Sequence, residues 1–359
     1  MGTDETMTNV LITGAGGLIG SEAATFFADK GHQVIGVDND MRAHFFGPGA
    51  STAHVLDGLS AKLGERFHSH HVDIRDESAI GGLFHSYRPS LVIHTAAQPS
   101  HDWAAKDPRT DFGINALGTL NLLENTRKRT PEATFIHCST SKVYGDTPNG
   151  LPLKRVMQRL DLRPDHRYYG GIDTTMSVDQ SLHSLFGVSK LSGDLLVQEY
   201  GRYFGMNTVC FRPGCLTGPA HEGAELHGFL SYLMRCAITG KPYTVYGYEG
   251  LQVRCNIHAL DLVRAFAEFH RSPRPGAVYN IGGGRENACS VLEAIHGCER
   301  IAGRELNHTF SDEARIGDHR WWISDNRPFQ LDYPQWGLTI SLEQTLQEIH
   351  DYNVERWRP

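Results

Sequence analysis

The run Val10–Thr13 opens directly onto Gly14-Ala15-Gly16-Gly17-Leu18-Ile19-Gly20, and a helical pattern begins near Ser21. Glycines at 14, 17 and 20 meet three needs: a tight turn, close approach of backbone to a pyrophosphate, and close packing of helix on strand. The helix start beyond them faces negative charge. A second β-branched run, VIGVDND, carries Asp38 near its end. A carboxylate there accepts hydrogen bonds from both hydroxyls of an adenosine ribose and repels a 2′-phosphate, which favours NAD over NADP. Asn39 and Arg42 follow, and an arginine is the residue type that pairs with such a phosphate. Asp73-Ile74, after a third run, suits the adenine edge, although an aspartate there also suits a helix N-cap. His68-Ser69-His70-His71 has no carboxylate or cysteine at metal spacing, so no metal site is expected.

The elements that must position these residues are short β-branched runs separated by helical patterns. They are Val10–Thr13, Val34–Val37, Phe67–Val72, Leu91–His94, Phe135–Cys138 and Thr208–Phe211. Such spacing describes βαβ units and a doubly wound parallel α/β sheet of the Rossmann kind, with ligands above the carboxyl ends of the strands. The alternation loosens after Gly214, and Ala277–Ile281 reads as a strand returning to the main sheet. The expected division is a dinucleotide-binding domain over 1–213 plus about 244–285, and a smaller discontinuous C-terminal substrate lobe over about 214–243 plus 286–359. A net charge of −7 argues against a nucleic-acid partner. The seven cysteines are scattered, with no pair at C-x-x-C spacing, which suggests neither a disulfide framework nor a zinc knuckle. No stretch approaches the roughly 20 apolar residues of a membrane span, and the first residues are polar and acidic, so no membrane partner and a cytoplasmic location are expected.

Several segments follow one another in a familiar order: the glycine turn, HTAAQ at 94–98, Asn115 with Gly118-Thr119, STSKVYGD at 139–146, FGVSK at 186–190, and RPGCLTGP at 212–219. Together they resemble the extended short-chain dehydrogenase/reductases that act on nucleotide sugars, the NAD-dependent epimerase/dehydratase family. STSKVYGD and HS-x-FG-x-SK are most similar to the branch of CDP-paratose 2-epimerases, where an asparagine and a tyrosine stand in place of Ser141 and Phe186. The resemblance implies cofactor contacts from Thr95, Ala96, Ala97, Gln98, Asn115, Ser139, Lys190, Pro213, Gly214 and Cys215, beside those of the glycine turn. It implies substrate contacts from Ser100, Thr140, Ser141, Lys142, Phe186, Arg254, His258 and Arg315. Arg254 and His258 match the family's Arg-Asp-x-Ile-His segment, with Cys255 in place of the aspartate, and Arg315 belongs to an Arg-x-x-Asp element.

The family's tyrosine and lysine sit four residues apart, stacked one turn above the other, so that the tyrosine can take a hydroxyl proton while hydride leaves for NAD. Here Thr140 and Lys190 match the family's hydroxyl and lysine, but Phe186 replaces the tyrosine and cannot move a proton. Three explanations stand open. Another group replaces it, from His183, Tyr168, Tyr169, Cys215 or Lys190 itself; or the reaction is shifted to another carbon; or catalysis is lost and the protein senses a dinucleotide. The pair after the catalytic threonine is Ser141-Lys142 rather than the Asp-Glu of the 4,6-dehydratases, which disfavours ordinary 4,6-dehydration. The expected function is epimerisation of a nucleotide-linked sugar with tightly held NAD, in a homodimer or higher homo-oligomer. The alternatives are a dehydratase acting on a nucleotide sugar or nucleoside, and a catalytically inactive dinucleotide-binding sensor.

Overall fold

The computed structural model describes residues 7–221, 223, 228–313 and 317–357. Seven strands form the central sheet: β1 (Asn9–Thr13), β2 (Gln33–Asp38), β3 (Phe67–His71), β4 (Leu91–His94), β5 (Thr134–Cys138), β6 (Thr208–Pro213) and β7 (Ala277–Ile281). Their order is β7-β6-β5-β4-β1-β2-β3. The pairs β1–β2, β2–β3, β1–β4, β4–β5 and β5–β6 are all parallel, as doubly wound topology requires. Strands β4 and β5 are buried at every residue, which is why LVIH and TFIHC read as continuous runs rather than alternating ones. At the sheet edge, β3 tolerates the polar string His68–His71, with three of its five residues exposed.

The chain divides into two compact units. The first comprises residues 1–140, 185–211 and 263–278; the second comprises 141–184, 212–262 and 279–359. In the first unit, Leu11, Val37, Val92 and Phe135 of the sheet pack with Ile80, Phe84, Leu122 and Val197. At ~25 cal/mol per Å² of apolar surface, such burial is what fixes the strand ends where side chains must be placed. In the second unit, strand Val253–His258 lies antiparallel to Ala288–Ser290 and parallel to Trp321–Trp322 and Cys215–Thr217. Helices Phe229–Thr239, Val291–Ala302 and Leu342–Trp357 bury Leu233, Met234, Ile295, Cys298, Leu346 and Ile349 in a core of their own.

Three helices matter for the site: α1 (Leu18–Asp29), α2 (His101–Lys106) and α3 (Ser184–Phe204). Between α2 and α3, residues Gly113–Gly118 form a π-helical turn, a local irregularity of the kind that re-aims a side chain, and Asn115 lies within it.

Candidate active site

Gly14 follows β1 with φ of +72°, and a Cβ built on it would lie 2.8 Å from the amide nitrogen of Ala96. A Cβ on Gly20 would lie only 2.0 Å from the carbonyl oxygen of Gly14. Both positions therefore require the absence of a side chain, one for backbone handedness and both for approach. Gly17 is the N-cap of α1 and offers no side-chain acceptor, so the first-turn amides of Leu18 and Ile19 are left for an external anion. These are the features a dinucleotide pyrophosphate needs, and the residues present fit one.

The Asp38 carboxylate accepts from the Gly16 amide at 2.9 Å and the Asp40 amide at 2.9 Å, which fastens the end of β2 to the glycine turn. A second carboxylate, Asp40, accepts from Ser51 and the Thr52 amide at 2.7 Å each. Burial alone would raise the Asp40 carboxyl, but these donors hold it below its ordinary value. Two carboxylates, Asp38 and Asp40, thus stand at the end of β2 and just beyond it. The Arg42 guanidinium packs over Phe46, 5.0 Å from its ring centroid. Asp73 pairs with Arg75 at 2.7 Å and accepts from Asn39 at 3.0 Å, joining the loops after β2 and β3. Burial works against ionisation of Asp73 too, and Arg75 outweighs it. Asp40 did not stand out in the sequence, since its partners Ser51 and Thr52 lie in another segment. Ile74 is buried. Thr95 donates to the Thr13 carbonyl at 2.7 Å, and the Ala96 amide donates to the Thr13 hydroxyl at 3.3 Å, so HTAAQ is held against the glycine turn. Ala97 is half-buried.

On α3, Phe186 and Lys190 are one turn apart. Lys190 is buried, and its Nζ donates to the Cys138 carbonyl oxygen at 3.0 Å. Burial pushes its ammonium below the ordinary lysine value, against the pull of Cys138, Asp194 and Asp111. Ser139 donates to Asp194 at 2.5 Å, and Thr140 follows it, half-buried. A second network braces the same helix. Asn115 Nδ2 donates to the Asp111 carboxylate and the Ser189 hydroxyl at 3.0 Å each, and its Oδ1 accepts from the Gln98 amide at 3.0 Å. Gln98 Nε2 donates to Asp111 at 2.7 Å and to the Ser100 carbonyl at 2.8 Å. Ser100 caps α2 by accepting from the Trp103 amide. The next residue, His101, lies against Phe186 with ring centroids 4.8 Å apart and planes at 60°. Sequence reasoning passed over His101, because twenty histidines are spread along the chain and nothing local marks this one.

The second unit carries a half-buried ionic cluster. Arg254 Nη2 lies 2.7 Å from Asp318, and Lys142 Nζ donates to the Gly317 carbonyl at 2.8 Å with Asp318 at 3.5 Å. Burial opposes the Asp318 charge, yet Arg254 and Lys142 hold its carboxyl far below the usual range. Asp318 closes the Arg-x-x-Asp element; its arginine, Arg315, lies outside the described residues. Ser141 is buried beside Lys142 in the chain.

The remaining candidates also lie in the second unit. Burial pushes the Cys215 thiol up to about 11, so it is a thiol rather than a thiolate near neutral pH. Pro213 ends β6, and a Cβ on Gly214 would lie 2.7 Å from the Cys255 sulfur. His258 Nδ1 accepts from the Leu260 amide at 3.1 Å, and Nε2 lies 3.1 Å from Glu348. His183 Nδ1 lies 3.0 Å from the Ser181 carbonyl, and its Nε2 is hidden from solvent. Tyr168 is buried under Arg167, and Arg285 stacks on Tyr169 at 3.9 Å.

A family model described as the NAD dependent epimerase/dehydratase family matches residues 10–282. The chain is 30% identical over 355 residues to CDP-paratose 2-epimerase of Salmonella typhi, covering 96% of this chain and 98% of that protein. It is 30% identical over 306 residues to a dTDP-glucose 4,6-dehydratase of Escherichia coli, covering 80% and 77%. Among solved structures, UDP-glucose 4-epimerase of Thermus thermophilus in complex with NAD shares the fold, with a TM-score of 0.77 at 22% identity over 96% of this chain and 98% of that one.

Proposed function

Because the chain belongs to the NAD dependent epimerase/dehydratase family, we propose that it holds NAD tightly and epimerises a nucleotide-linked sugar. The observation that carries this reading is the cradle in which Gly14 and Gly20 admit no Cβ and Asp38 is tied to the Gly16 amide. When bound there, NAD supplies a hydride acceptor that turns a carbinol into a ketone and then returns the hydride.

The chain's own residues do the rest. The first unit takes the cofactor and the second the sugar nucleotide. Lys190 holds a buried positive charge that orients the cofactor's ribose and favours a deprotonated reacting oxygen. Thr140 donates its hydroxyl to that oxygen. Arg254 and Lys142 bring two positive charges to the Asp318 carboxylate, an arrangement suited to a substrate phosphate. Lys142 stands where 4,6-dehydratases of this family carry a carboxylate, which favours epimerisation over elimination.

The protein works as a homodimer in the cytoplasm. Leu185, Val188 and Leu195 are exposed along one stripe of α3, an apolar face suited to a second copy. No helix among the described residues is long and apolar enough to cross a membrane.

The test is to purify the protein, release and identify any bound nicotinamide nucleotide, and incubate the holoenzyme with a panel of CDP-, UDP- and dTDP-hexoses. Retained NAD with inversion at one carbon and no net redox supports the reading. Loss of water in its place marks a dehydratase. A protein without dinucleotide, or one that turns over no sugar in the panel, refutes it.

A further inference from the structure

The chain keeps the lysine and the threonine of the catalytic set but has no phenol at position 186, so a proton acceptor is missing from an otherwise assembled site. The ring of Phe186 is buried, and the half-buried imidazole of His101 rests against it at 4.8 Å between centroids. That contact is braced. Gln98 bonds to both the amide and the carbonyl of Ser100, the residue before His101. Gln98 is tied in turn to Asp111 and Asn115, and Asn115 bonds to Ser189, the neighbour of Lys190 on α3. The segment bearing His101 and the helix bearing Phe186 and Lys190 are therefore joined by buried hydrogen bonds as well as by ring contact. Such bracing holds an acid/base to the tolerance proton transfer demands.

We propose that His101 is the catalytic acid/base of this protein, replacing the phenol that Phe186 lacks. The proposal rests on the functional reading above. In the oxidising step the substrate O–H proton passes to a ring nitrogen of His101 while the carbinol hydride passes to NAD, which becomes NADH, and the carbinol becomes a ketone. In the return step the imidazolium gives its proton back to the ketone oxygen as hydride re-enters from NADH, so atoms and electrons balance over the cycle. Phe186 keeps the volume of the lost residue and serves as the wall against which the imidazole is set.

The experiment uses the holoenzyme and the hexose nucleotide from the panel that the wild type turns over. His101→Asn is expected to lower turnover by about 100-fold or more, with retained NAD and calorimetric affinity for the sugar nucleotide close to wild type. Adding Phe186→Tyr to His101→Asn restores turnover by about tenfold or more, because a phenol returns beside Lys190. Free imidazole does the same for His101→Gly. A readout independent of turnover is the imidazole C–H proton signal of His101, assigned by its disappearance in the variant, which shifts when the sugar nucleotide binds. His101→Gln takes the place of the asparagine variant if that protein fails to retain NAD.

A variant at 101 with turnover near wild type overturns the proposal. So does a fall that neither Phe186→Tyr nor imidazole relieves. A wild type that turns over no sugar in the panel removes the functional reading itself and this assignment with it. An active wild type with an indifferent His101 removes only the assignment.

Discussion

Lys190 donates its Nζ proton to the Cys138 carbonyl oxygen at 3.0 Å, tying the second turn of α3 to the last residue of β5, two residues before Thr140. The ammonium is buried, and its charge reaches two buried imidazoles of the sheet. Burial, with the Lys190 charge adding to it, pushes the imidazole of His94 down to about 3, and that of His137 well below the ordinary histidine value.

Replacing Lys190 with methionine preserves most of the side-chain volume and removes the charge. Turnover is expected to fall by about 100-fold or more, since the reacting oxygen loses its electrostatic partner. Stability changes less, within ~2 kcal/mol, because the unpaired Cys138 carbonyl and the relieved burial of a charge oppose each other. Steady-state kinetics and urea denaturation measure the two; full activity in Lys190→Met would contradict the assignment of α3.

Asp38→Asn is expected to weaken NAD retention by about tenfold, the equivalent of ~1.4 kcal/mol, through loss of a charged acceptor near the ribose. It does not by itself confer a preference for NADP, because the Asp40 carboxylate remains in the same loop. The double variant Asp38→Asn/Asp40→Asn accepts NADP. Equilibrium dialysis of both dinucleotides checks this, and NADP preference in the single variant would count against it.

Arg254→Met is expected to lower affinity for the sugar nucleotide by about 10- to 100-fold, the scale of one charge-assisted hydrogen bond pair. Lys142 then remains to neutralise Asp318, so the fold survives. Calorimetry on the retained-NAD protein decides it; an unchanged dissociation constant would remove Arg254 from the substrate site.

Acid should unfold the protein through its buried histidines. His94 holds its folded-state value near 3, while an unfolded imidazole titrates near ~6.5. The unfolded chain therefore binds protons that the folded chain refuses. Stability is full above about pH 6.5 and falls as pH drops towards 3, by up to ~1.4 kcal/mol per pH unit for each such group. His137 contributes in the same direction, and neither of its ring nitrogens has a hydrogen-bond partner among the described residues. His137→Leu is thus expected to raise the melting temperature at neutral pH and to flatten its decline between about pH 7 and 5. A variant with the same slope as the wild type would show that this imidazole does not couple folding to protons.

Some of this was legible in the chain because the physics is local. A strand followed by Gly14-Ala-Gly-Gly-Leu-Ile-Gly20 has few conformations open to it, and the buried runs LVIH and TFIHC announce a parallel sheet by lacking alternation. Phe186 and Lys190 had to share a helix face because 3.6 residues make a turn. The place of Asp38 at the end of the second strand followed from the run that precedes it.

Pairings between distant segments were not legible, since periodicity and turn propensity carry no information about them. Cys215 and His183 were reasonable substitutes for a missing phenol by proximity along the chain. Burial of the Cys215 thiol is a property of packing. Asp318 became the partner of Arg254 and Lys142, and Asn39 the partner of Asp73, only when separate loops met.

From the residues alone came the parallel sheet, the dinucleotide turn, the acidic end of the second strand and the absence of a phenol at 186, because each depends on neighbours within a few positions. The folded chain alone decided that an imidazole from the start of α2 comes to rest on the ring of Phe186. That contact is set by the burial of the strands and helices between them, and no local pattern encodes it.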